Sequence, residues 1–239
     1  MTAVRIRGVT IAWSVALLLM VPRFVSLTGP IDDPHSWRQC DTAYYSVHMA
    51  RHGIDPLRPE VCWLGGHGTL ALEFPLPEVL SALLQRMFGI GVIWDRIVSL
   101  GFFAIAALYL HALARRILPA RPAAIAALAY LALPLGIFYS RAAVVDFAAI
   151  AFAHACLWHG LVALERGRGR DVALCAVAGV LAALIKAPVL MPAGLALGWV
   201  TLRSERAAWW RGALPLAIAT AVFAWWRAHA EGLNATVPD

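Results

Sequence analysis

Apolar residues fall into seven long runs along the chain, at residues 9–27, 97–114, 122–139, 142–164, 172–185, 187–202 and 213–226. A helix needs roughly 20 apolar residues to cross the hydrocarbon of a bilayer, within a range of about 17–25. The pattern therefore predicts an all-α integral membrane protein with about seven transmembrane helices. Two of the runs, 172–185 and 187–202, are short and are split by Lys186-Ala187-Pro188. They read either as two spans or as one long helix kinked at Pro188, and the second reading would reverse the side of everything that follows. The basic cluster of Arg203, Arg206 and Arg211 favours two spans. The first run follows Arg5 and Arg7 as a signal peptide would. It exceeds an h-region of about 7–15 residues, however, and no small-residue cleavage site closes it, so it is read as a retained span.

The first two runs are separated by a polar stretch, residues 29–95. Residues 41–52 contain neither Gly nor Pro and predict a helix, which Pro56 and Pro59 would end. Gly65, Gly66 and Gly68 predict a turn. Residues 77–88 place Val79, Leu80, Leu83, Leu84 and Phe88 at helical spacing. That amphipathic segment is too short to cross and is expected to lie in the membrane interface. Residues 1–239 are read as one transmembrane module, with 29–95 as its first external loop.

Composition agrees with this class. The chain is 61% hydrophobic and 14% charged, with a mean hydropathy of +0.71, where a soluble domain carries nearer ~25% charged residues. The net charge of +6 is dispersed in short clusters rather than laid out in an aromatic-interleaved stripe, so no nucleic-acid partner is indicated. One set of run ends carries eleven basic residues: Arg5, Arg7, Arg115, Arg116, Arg121, Arg166, Arg168, Arg170, Arg203, Arg206 and Arg211. The opposite short ends carry Arg141, Lys186 and Arg227. Positive residues favour the cytoplasmic side, so the N-terminus is expected there. The 29–95 loop, the 139–146 turn, Lys186 and the C-terminus are then expected together on the other face. Cys40 and Cys62 lie in that loop, where an oxidising compartment would let them pair; the competing reading is two free thiols. Cys156 and Cys175 lie in apolar runs and read as packing residues.

The candidate chemistry is concentrated on that face. The loop holds eight of the fourteen acids: Asp32, Asp33, Asp41, Asp55, Glu60, Glu73, Glu78 and Asp95. A carboxylate near the membrane surface can deprotonate a hydroxyl or bind a cation, although solvated loop acids are the plainer reading. Trp37 and Arg38 lie among them, with Tyr44 close by; a guanidinium suits phosphate and an aromatic face suits a sugar ring. An interfacial Trp and a snorkelling Arg would look the same. Arg141 and Asp146 flank the start of the fourth run, either as a functional site at a span edge or as an ordinary ion pair. Asp95, Arg96 and Ser99 open the second run, and Lys186 caps the short pair. Cations at that depth suit a lipid-linked phosphate, with helix-end snorkelling as the alternative. His48 and His52 have the spacing of a zinc-protease helix but lack its Glu, and His35 and His67 could join them only through the fold, so no metal motif is assigned. His111, His154 and His159 lie in apolar runs and read as local hydrogen-bonding groups.

The order of these pieces resembles the GT-C superfamily of polyprenyl-phosphate-sugar-dependent glycosyltransferases. The nearest likeness is to the bacterial branch related to protein O-mannosyltransferases, the lipid A aminoarabinose transferase and the RgtA/B/C/D-like enzymes. The resemblance is carried by DDPHSWRQCDTAYY with the following Ala-Arg (32–51), EFPLPEVLSALLQRMFG (73–89) and WDRIVSLGFF with LYLHALARRI (94–117). LALPLGIFYSRAAVVDF (131–147) and IKAP (185–188) complete it. It implies transfer of a sugar from a polyprenyl-phosphate donor to a periplasmic lipid, glycan or protein acceptor, at the outer face of a bacterial inner membrane. It also implies an acidic base in the first loop, with Asp41 as the best match and Asp33 as the second choice. Asp146 matches a further acid of the second outer loop. Arg96 and Lys186 would stabilise the leaving phosphate; Trp37, Arg38, Tyr44 and Arg141 are taken as substrate-binding candidates from residue type and position alone. No cofactor is implied, although some members bind a divalent metal near the first-loop acid. Such proteins are usually much longer, so the chain is expected to lack their usual C-terminal part. The rival readings are a lipid or solute transporter and a non-catalytic membrane partner. A transporter predicts charges inside the spans, and here they collect at one surface.

Overall fold

The computed structural model describes residues 12–31, 36–62 and 68–235. Among the described residues the regular structure is helical, and one isolated antiparallel bridge pairs Glu60 with Thr69. The helices are α1 (Ala12–Phe24), α2 (Ser36–His52), α3 (Leu76–Phe88), α4 (Ile93–Ile117) and α5 (Ala120–Ala132). They continue with α6 (Pro134–Tyr139), α7 (Asp146–Arg166), α8 (Gly169–Arg203) and α9 (Trp209–Asn234). Local sequence sets several ends. Gly53, with φ 130°, follows α2. Pro77 occupies the first turn of α3, and Gly89, with φ 100°, closes it. Gly167 is left-handed after α7 and donates its N–H to Ala163.

Among the described residues four helices are long and apolar enough to cross a membrane: α4, α7, α8, and α9 together with the single turn before it. This differs from the expected seven. Among the described residues α1 and α5 are shorter, and Pro134 breaks the run at 122–139 into α5 and α6. The two short runs around Lys186 form the single 35-residue element α8, which is non-helical only at Lys186 (φ −160°, ψ 86°).

At that residue α8 folds back on itself. Cys175 and Leu197 would be about 33 Å apart in a straight helix at 1.5 Å per residue. Yet both approach Gly160 of α7, where an added Cβ would lie 3.1 Å from Cys175 Sγ and 2.6 Å from Leu197 Cδ2. The two halves therefore lie side by side. The break at Lys186 leaves the Leu184 carbonyl, in the last turn before it, without a helical partner. The N–H of Phe74, from the loop, fills that place at 3.0 Å.

Small residues let the helices approach closely. The buried face of α7 carries Ala148, Ala149, Ala151, Ala153, Ala155, Gly160 and Ala163. Nearer the loop, Phe103 of α4 stacks on Tyr130 of α5 and meets Phe147 of α7 edge-on, with centroids 5.0 and 4.9 Å apart. The fully buried Arg23 of α1 donates to Ser140 Oγ (2.9 Å) and Leu131 O (2.6 Å), and its guanidinium lies 4.4 Å from the Phe103 ring centre.

The two ends of the bundle differ in chemistry. At one, Arg116 pairs with Glu165 and lies over Trp158, and Gly167 sits against the Arg211 guanidinium. The other end gathers α2, α3, the 140–145 turn, Lys186 and the end of α9. There the Asn234 side chain donates to Ala71 O (2.8 Å) and accepts from Ala71 N–H (2.9 Å). Cys40 and Cys62, weighed as a disulfide, are free and exposed thiols on separate segments.

Candidate active site

Two helix breaks at the loop end open a cavity of about 480 Å³. One is the Leu133–Pro134 break between α5 and α6, which supplies Tyr130, Leu133, Leu135, Gly136 and Tyr139. The other is the reversal at Lys186. The turn before α7 adds Val144, the start of α7 adds Asp146 and Phe147, and the start of α2 adds Trp37 and Arg38. A volume of this order is typical of small-molecule sites.

The polar groups are held by identifiable contacts. Gln39 is buried, and its side-chain oxygen accepts the Ala143 N–H at 3.1 Å, which fastens the start of α2 to the turn before Asp146. Arg38 forms an ion pair with Glu73. Burial alone would lower the guanidinium's pKa, and Glu73 beside it more than offsets that. Glu73 is in turn placed by its neighbour Phe74, whose N–H bonds to Leu184 and whose ring meets Trp226 edge-on at 5.3 Å. Lys186 Nζ donates to Asp146 Oδ1 at 2.7 Å. The mouth thus carries two cations, each held by a carboxylate, above aliphatic and aromatic walls. Such a mouth suits an anionic group, and Trp37, Tyr130 and Tyr139 offer faces for a ring or a chain.

Of the residues singled out in the sequence, Trp37, Arg38, Asp146 and Lys186 meet in this cavity. Asp41 is half-buried on α2, one turn beyond Trp37 and Arg38 on the same helical face, and is not among the lining residues. Asp33 lies outside the described residues, as do Asp32, His35 and His67. Tyr44 stacks on His48 at 5.8 Å, away from the lining. Arg141 bonds the Val25 carbonyl and lines a separate cavity of about 370 Å³ with Pro22, Pro134 and Phe138. Asp146 therefore pairs with Lys186 rather than with Arg141.

Arg96 is only 3% exposed, and its guanidinium donates to four carbonyls, those of Ser26, Leu27, Gly29 and Pro30. In this structure it clamps the start of the loop and does not face the cavity. Among the described residues no group of three or more His, Cys, Asp or Glu is placed to hold a metal.

Tyr130 and Tyr139 were not singled out from the sequence, and Glu73 stood there only as one of eight loop acids, with no role of its own. For Glu73 a signal existed: it is a lone carboxylate in an otherwise apolar stretch just before two prolines.

The comparisons identify the architecture. Residues 74–228 match the dolichyl-phosphate-mannose-protein mannosyltransferase family. The chain belongs to this family. No curated protein matches it. The apo crystal structure of ArnT from Cupriavidus metallidurans matches it with a TM-score of 0.70 at 22% identity, covering 98% of this chain and 44% of that one. The same protein bound to undecaprenyl phosphate matches with a TM-score of 0.66 at 21% identity, covering 97% and 42%. The chain thus spans less than half the length of the solved structures it resembles. It has an ArnT-like, multi-pass membrane fold and belongs to the GT-C superfamily. The family match begins at Phe74 and leaves out α2; the structural match takes in nearly the whole chain, so the cavity's α2 wall belongs to the shared fold.

Proposed function

We propose that the protein transfers a sugar from a polyprenyl-phosphate donor to a lipid, glycan or protein acceptor at the periplasmic face of a bacterial inner membrane. The observation that carries this reading is that Arg38 and Lys186 both line one largely apolar cavity. A lipid-linked phosphate has that shape: an anion that needs cations, on a chain that needs apolar walls. The ArnT structure with undecaprenyl phosphate supports the donor class.

In the proposed reaction an acceptor hydroxyl oxygen attacks the anomeric carbon. The bond from that carbon to the phosphate oxygen breaks, and the polyprenyl phosphate leaves with the electron pair. Asp41 takes the hydroxyl proton from the face opposite the leaving group. Lys186 and Arg38 offset the charge that gathers on the phosphate. Asp33 is the second choice for the base. Trp37 supplies a face against which the sugar ring packs.

Purified protein in lipid, given a radiolabelled polyprenyl-phosphate sugar and a membrane extract of acceptors, tests the reading. It predicts label in a new product, together with release of free polyprenyl phosphate. Intact donor after prolonged incubation, with every donor in a panel of sugars, would refute it.

A further inference from the structure

The pair at the cavity mouth has a property that the proposed reaction does not require. Lys186 is the residue that would meet the donor phosphate, yet its ammonium is already engaged, 2.7 Å from Asp146 Oδ1. The two side chains remain 37% and 44% exposed, so the contact is open to a competing anion from the cavity. Exposed ion pairs of this kind are weak and exchange readily. Asp146 is also the first residue of α7, and the preceding Val145 gives that helix no side-chain cap. Its carboxylate can therefore release Lys186 and still lie beside the positive end of a helix. The other cation is held differently, since Arg38 is pinned to Glu73 by a more enclosed pair, 21% and 27% exposed. Lys186 is the cation that can change partners.

We propose that Asp146 is a built-in competitor for the donor phosphate. It holds Lys186 while the cavity is empty, and the phosphate takes the ammonium from it, one anion replacing another. Asp146 acts through Lys186 and is a positioning residue. The exchange keeps an ammonium at the membrane surface neutralised between turnovers and ties release of the Asp146 carboxylate to arrival of the donor. The inference rests on the polyprenyl-phosphate reading given above.

The test is equilibrium binding of undecaprenyl phosphate to the purified protein in lipid nanodiscs, with neutral undecaprenol as control. Asp146→Asn removes the competitor and is expected to tighten phosphate binding about two- to fivefold, the range of an exposed ion pair. Lys186→Gln is expected to weaken it about tenfold, as loss of a charge-assisted contact does. The double variant should bind like Lys186→Gln alone, and undecaprenol binding should not change in any of them. Asp146→Ser serves as a second variant if Asp146→Asn is not monodisperse. A residue that merely shapes the site would move binding in the same direction as Lys186. Weaker or unchanged phosphate binding in both Asp146 variants would therefore overturn the exchange while leaving the donor reading standing. Wild-type protein that binds undecaprenol as tightly as its phosphate would overturn the donor reading, and the exchange with it.

Discussion

The sharpest consequence of the packing concerns Glu78. It lies on the inward face of α3, against α2 and α4, at 3% exposure, and its Oε2 has no hydrogen-bond partner among the described residues. The charged groups that face it are Asp95, Glu73 and Arg38. Burial pushes its pKa from the ordinary 4.5 to about 8; a hydrogen bond from its own backbone N–H opposes the rise, Asp95 and Glu73 add to it, and Arg38 opposes it more weakly. The folded protein therefore keeps this proton through neutral pH, whereas the unfolded chain gives it up near 4.5. Between those values the folded state binds more protons, so stability falls as pH rises from about 4.5 to about 8 and then levels. At ~1.4 kcal/mol per unit, that window represents a loss on the order of 5 kcal/mol. For a chain of this length the loss corresponds to a fall of roughly 10 °C or more in the unfolding midpoint. Glu78→Gln keeps the size and removes the ionisation. Thermal unfolding in nanodiscs, followed by the monodisperse fraction from pH 5 to 9, should show a falling midpoint for wild type and a shallower fall for Glu78→Gln, in which the buried Asp95 remains. A wild-type midpoint that is flat or rising over that range would refute the reasoning, as would a variant that falls in parallel.

Two further predictions follow from the helix contacts. Gly212→Ala would set a methyl 2.0 Å from Thr201 Oγ1 and 3.1 Å from Thr201 Cβ across the α8–α9 contact. It should cost about 1–3 kcal/mol by overpacking, read as a lowered midpoint, with much of it recovered by adding Thr201→Ala. Pro188→Ala removes a block to a continuous helix through Lys186, and straightening there would bring the residue 188 N–H into competition with Phe74 N–H for Leu184 O. Hydrogen exchange at Phe74 should then quicken and phosphate binding should weaken; an unchanged exchange rate would show that the proline does not direct the loop.

Much of the helical framework was legible, because apolar run length is a strong local signal. What the sequence left open was decided by contacts between distant segments. The α2 helix begins at Ser36, five residues before the expected start, which puts Trp37, Arg38 and Asp41 on one face. The amphipathic segment was read correctly as a short helix, α3. Its apolar side faces outward, with Leu80, Leu83, Met87 and Phe88 exposed, and it buries Glu78, Ser81 and Gln85 against the protein. Apolar periodicity gives a helix two faces but does not say which one meets lipid. Lys186 and Asp146 were each visible as ionisable residues at span edges, but their pairing depends on how α7 and α8 pack. Arg96 shows the opposite case. Its place beside Asp95 at a span start suggested phosphate binding, and no local signal revealed that four carbonyls from residues 26–30 would occupy its guanidinium.

The central claim is that Asp41 removes a proton from the acceptor during sugar transfer from a polyprenyl phosphate. The most direct measurement is the transfer rate from a defined polyprenyl-phosphate sugar in lipid, with wild type beside Asp41→Asn and both shown to bind undecaprenyl phosphate. General-base catalysis contributes roughly 10²- to 10⁴-fold, so the account predicts a loss of that order in the variant with phosphate binding retained. Equal rates in the two proteins would contradict it.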